Sequence, residues 1–75
     1  MKNNLQTYTL TCLEGTRPFV LKELLEKYPD VIILKEGKKE IIFNSNQEDI
    51  EIFRNLYSPS HIESSSGRVL NLSKR

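Results

Sequence analysis

Seventy-five residues carrying 37% hydrophobic and 28% charged side chains, with net charge +1, make one small globular domain and no more. One cysteine and one histidine exclude an internal disulfide and a Cys/His zinc site. A pI near 7.9 falls short of the value above about 9 expected of a free-standing nucleic-acid binder. The longest apolar run, Val31 to Leu34, is far below the roughly 18 residues of a membrane span. The polar start Met1-Lys2-Asn3-Asn4 leads into no apolar secretion region, so a cytoplasmic location is expected.

The first element is Thr7 to Cys12. Tyr8, Leu10 and Cys12 alternate with Thr7, Thr9 and Thr11, which predicts a strand with one buried face. Glu14 to Pro18 breaks it, with Thr16 as an N-cap and Pro18 tolerated in a first helical turn. The helix runs to about Tyr28 on a stripe of Val20, Leu21, Leu24, Leu25 and Tyr28, and Pro29 stops it.

Val31–Glu36 and Lys39–Asn44 read as a hairpin. A Gly37-Lys38 type II′ turn sets Lys35 against Glu40, Leu34 against Ile41 and Ile32 against Phe43, and avoids a Lys35–Lys39 like-charge pair. Ser45 to Glu48 matches a capping box opening a second helix, whose stripe is Ile50, Ile52, Phe53, Leu56 and Tyr57, ended by Ser58-Pro59. A last strand lies between Ser60 and Leu72. The order β-α-β-β-α-β predicts an α+β, ferredoxin-like domain, a four-stranded antiparallel sheet with both helices on one face. Its core would span about residues 5–65, with 66–75 a tail or linker. The buried sheet face would carry Tyr8, Leu10, Cys12, Ile32, Leu34, Ile41 and Phe43. The open face would carry Thr7, Thr9, Thr11, Ile33, Ile42 and Lys35, either as a docking surface or as an ordinary solvated face.

Thr9 to Gly15, Val20 to Leu24, Gly37 with Ile41-Ile42-Phe43-Asn44, and Ile50, Phe53 and Leu56 together resemble the N-terminal ferredoxin-like domain of THUMP-type RNA methyltransferases. The resemblance covers residues 5 to 65, and here the glycine follows Leu13-Glu14 where that family has it before. It implies a non-catalytic accessory domain that is a piece of a longer chain. Its neighbours would be a tRNA- or rRNA-binding domain and a methyltransferase domain using S-adenosylmethionine, and the domain itself would hold no cofactor.

The residues agree on the last point. Gly15, Gly37 and Gly67 are too scattered for a cofactor loop, and no Pro-Pro motif occurs. Phosphate contacts are expected from Lys35, Lys38 and Lys39 at the hairpin, Arg17 at a helix start, and Arg68 with Lys74 and Arg75 near the C-terminus. The competing reading of those lysines is a solvated turn that protects a sheet edge. Base stacking of the RNA-recognition-motif kind is disfavoured, because Tyr8 and Phe43 share the face that the helices cover. Two other functions stay open: an interaction or ligand-sensing module that dimerises through its sheet, and an acylphosphatase-like enzyme using Arg17 and Asn44. His61 is expected to pack at a strand edge, Cys12 to be an inert core residue, and Glu14 to favour the helix start.

Overall fold

The computed structural model describes residues 5–47 and 49–72. In chain order these are β1 (Gln6–Thr11), α1 (Arg17–Lys27), β2 (Ile32–Glu36), β3 (Glu40–Ser45), a 3-10 helix (Ile50–Asn55), β4 (His61–Ser64) and β5 (Val69–Asn71). The sheet has five strands in the order β2-β3-β1-β4-β5, with every neighbouring pair antiparallel. The architecture is α+β. Among the described residues no helix is long and apolar enough to cross a membrane.

The alternation in β1 decides the layers. Tyr8, Leu10 and Cys12 are buried and meet Ile41 and Phe43 of β3 and Ile62 of β4 on one face. Val20 and Leu24 of α1 and Ile50 and Phe53 of the 3-10 helix close over that face. Phe53 sits at the middle. Its ring lies 4.9 Å from Tyr8, 4.9 Å from Tyr28 and 5.6 Å from Phe43, all edge-on or tilted, the arrangement that aromatic quadrupoles prefer. The two buried or half-buried tyrosine hydroxyls donate to backbone carbonyls, Tyr8 to Gln47 at 2.6 Å and Tyr28 to Ile52.

Four expectations are corrected. The first concerns strand number: where one last strand was expected, Ser60 to Leu72 folds back on itself. Gly67 takes φ 97°, which only glycine adopts cheaply, and its N–H bonds the Ser64 carbonyl at 3.0 Å. β4 and β5 then pair, and Leu70 and Leu72 join the core, so sheet and core run into residues 66–72. Lys74 and Arg75 lie outside the described residues.

The second correction is the β2–β3 register. Gly37 has no positive φ and precedes the turn, its N–H bonding the Glu40 carbonyl at 2.8 Å, so Lys38-Lys39 are the central residues. The pairing is displaced by one residue to Ile33↔Phe43, then shifts again across Leu34 to Lys35↔Ile42 and Glu36↔Ile41. A one-residue slip exchanges the two faces. Ile33 therefore packs on the core, while Ile32 and Leu34 are 51% and 52% exposed.

The third is the second helix. Ser45 ends β3 and its hydroxyl accepts from the Gln47 N–H at 3.1 Å, so it caps a turn and no helix; Glu48 lies outside the described residues. Asp49 accepts from the Glu51 N–H at 3.0 Å and starts a short 3-10 helix, a form suited to a six-residue piece. Tyr57 falls beyond it and is 79% exposed. The fourth is Thr16: it precedes α1, but its hydroxyl donates back to the Leu13 carbonyl at 2.7 Å and makes no cap bond.

Candidate nucleic-acid interface

β1 ends beside the β2–β3 turn, where the Cys12 N–H bonds the Lys39 carbonyl at 2.6 Å. The chain then turns through Gly15 (φ 87°) into α1, whose second residue is Pro18. This brings Arg17, Lys38 and Lys39 to one end of the sheet, although they lie about twenty residues apart in sequence. Glu14, Gly15, Arg17, Pro18 and Lys38 line an open cleft of about 370 Å³ there. Arg17 anchors it through an ion pair with Glu36 at 2.5 Å, and that pair ties α1 to the edge strand β2. Its charge also bears on Cys12: burial pushes the thiol pKa up, and Arg17 partly opposes the rise.

The cleft's electrostatics are modest. Three cations, Arg17, Lys38 and Lys39, are accompanied by Glu14, Glu36 and Glu40 on the same loops and strand ends. The helix start adds little, since Pro18 has no N–H and those of Thr16, Phe19 and Val20 are bonded within the turn. Any anion held here would rest on side chains, chiefly Lys38 and Lys39, which are exposed.

The other expected site residues are placed elsewhere. Lys35 stands on the open sheet face opposite Ile42. Arg68 lies in the β4–β5 loop, at the far end of the sheet: β4 ends opposite Tyr8, whereas the lysine turn adjoins Cys12. The structure thus gathers Arg17, Lys38 and Lys39 and separates Arg68 from them. Asn44 is also remote from Arg17. It pairs with Thr7 and accepts the Thr7 hydroxyl at 2.8 Å, five residues along β1 from Cys12, or roughly 17 Å. The pair that an acylphosphatase-like reaction needs is therefore not assembled. His61 pairs with Thr11 on the open face, with Nε2 3.2 Å from its hydroxyl.

A wider groove of about 750 Å³, unmarked by any motif, runs between Lys27, Tyr28, Arg54, Asn55 and Tyr57. Its cations are already engaged, Lys27 by Glu23 at 3.0 Å and Arg54 by Glu51 at 2.6 Å. Glu23 is the organising group: its carboxylate also accepts the Tyr57 and Ser58 N–H groups at 2.8 and 2.9 Å. Burial raises its pKa, but these backbone bonds and Lys27 outweigh the penalty and the net shift is downward. No metal-binding cluster occurs among the described residues. No protein-family model, curated protein or solved structure matches this chain.

Proposed function

We propose that this chain is a ferredoxin-like, non-catalytic accessory domain of an S-adenosylmethionine-dependent RNA methyltransferase, helping to position RNA-binding and catalytic domains. The order β2-β3-β1-β4 and the packing of α1 and the 3-10 helix on one face support the fold part of this reading, while β5 and the shortness of the second helix depart from the expected plan. The observation that carries the functional reading is the convergence of Arg17, Lys38 and Lys39 at one sheet end, beside the β1–α1 loop whose residues carry the family resemblance. Two exposed lysines, Lys38 and Lys39, beside an Arg17 held by Glu36, suit the phosphates of a tRNA or rRNA. Their accompanying carboxylates keep the contact weak, as befits a domain that assists another binder.

The two lysine contacts at about 0.7 each give a log–log salt slope of about −1.4 on single-stranded RNA. Fluorescence anisotropy of a labelled tRNA titrated with the chain over a range of salt measures it. The reading expects weak, salt-sensitive binding that Lys38→Glu with Lys39→Glu abolishes and Arg68→Glu leaves nearly unchanged. Tight, salt-insensitive binding, or no binding even at low salt, would overturn it.

A further inference from the structure

Among the described residues no element packs over the face of the sheet opposite the helices, and its residues form a row that complements itself. Reading across β2, β3, β1, β4 and β5, the paired positions are Lys35, Ile42, Thr9, Glu63 and Val69. Lys35 and Glu63 are exposed, and neither joins an ion pair with another described residue. They lie three strand spacings apart, about 14 Å, with Ile42 and Thr9 between them. We infer that this face is the surface on which a second copy of the chain docks, and that Lys35 of each copy pairs with Glu63 of the other.

The charge pattern selects the geometry. A two-fold axis running along the strands, midway between β3 and β1, turns the row end for end. It lays Lys35 over the partner's Glu63, and Ile42 over the partner's Thr9. The next rows follow the same exchange: Asn44 meets Thr7, whose hydroxyl donates within its own chain and can still accept from the partner's amide, and Glu40 meets Thr11. Such an axis keeps the strands of both sheets aligned, which is one of the two ways sheets stack, at about 10 Å. Lys35 and Glu63 are together long enough to bridge that gap.

The alternative sites for a second copy are the open edges of β2 and β5. The β2 edge is spoiled by the irregular pairing at Leu34 and by Lys35 on it, with Lys38 and Lys39 in the adjoining turn, and β5 is only three residues long, the devices that keep edge strands from pairing. The sheet face carries no such obstruction. Under this axis β5 overhangs, and four strands at about 4.8 Å by five residues at about 3.4 Å give roughly 330 Å² per copy. That is less than half of a standard interface, so the dimer is weak, with a dissociation constant of roughly tens to hundreds of micromolar.

Sedimentation equilibrium of the 75-residue chain, from about 10 µM to about 1 mM, tests this directly. Lys35→Glu turns two symmetric attractions into repulsions and should weaken the dimer about tenfold or more, as should Glu63→Lys. The double variant, with the charges exchanged, should restore association to within about threefold of the original. Circular dichroism verifies that each variant stays folded, and either single variant alone suffices for the comparison. A monomer throughout the range overturns the inference. So does a dimer indifferent to Lys35→Glu, or a double variant no better than the singles.

Discussion

Replacing Glu23 by glutamine tests how this small domain holds its layers together. The Glu23 carboxylate accepts two consecutive backbone N–H groups, of Tyr57 and Ser58, and the Lys27 ammonium. It thereby fastens the segment after the 3-10 helix to α1, across more than thirty residues of sequence. Glutamine keeps the size and one acceptor oxygen, but presents an NH₂ group where the second N–H needs an acceptor. Hydrogen bonds to charged groups contribute about 1.5–3 kcal/mol each, and water can reach part of this site, so the expected loss is about 1–3 kcal/mol. For a domain of this length, stable by roughly 4–11 kcal/mol, that is a large fraction. The pH dependence supplies a second arm. The Glu23 pKa is lowered on folding, so its contribution is full above the ordinary glutamate value of 4.5 and is lost as the pH falls through the folded-state value. Urea denaturation near neutral pH and again in acid should therefore show a gap between wild type and Glu23→Gln that closes in acid. A gap of the same size at both pH values, or none near neutrality, would refute the reasoning.

Phe53→Ala removes the ring at the centre of the aromatic cluster and should cost about 3–5 kcal/mol by the same denaturation, as should Phe43→Ala; a loss below about 1 kcal/mol would remove either from the core. Tyr57→Ala, at an exposed side chain, should change stability by no more than about 0.5 kcal/mol. Gly67→Ala forces a side chain into φ 97° and should destabilise by about 1 kcal/mol or more, although its Cβ would meet open space. The buried Cys12 thiol, its pKa raised, should react with a thiol reagent far more slowly in the native chain than in denaturant; equal rates would show it exposed.

The central strands were the most legible part of the sequence. β1 has a partner on each side and helices over one face, so its alternation of Thr with Tyr8, Leu10 and Cys12 leaves one arrangement that buries the apolar set. Pro29 marked the end of α1 equally well, with Tyr28 at φ −135° just before it. The β2–β3 register was not legible because β2 is an edge strand. With one neighbour, Ile32, Ile33 and Leu34 leave either face available, and the deciding φ of Gly37 is not written in the local residues. β5 was signalled by Ser65-Ser66-Gly67, a turn sequence between Ile62 and Leu70.

Of the candidate site, the lysine pair was readable as charge, but its company was not. That Arg17 reaches Glu36 and stands beside Lys38, while Arg68 occupies the far end, depends on strand pairing between residues distant in sequence. Glu23 carried no sequence signal, since it looks like any solvent-facing glutamate of an amphipathic helix.

Amide chemical-shift mapping tests the functional account most directly. The ¹⁵N-labelled chain is titrated with a short single-stranded RNA at low salt. Shifts are expected in the β1–α1 loop around Gly15 and Arg17 and in the turn at Lys38-Lys39 alone, reversed by added salt. Shifts centred on Gly67 and Arg68, or on Thr9 and Ile42 of the open face, would contradict it.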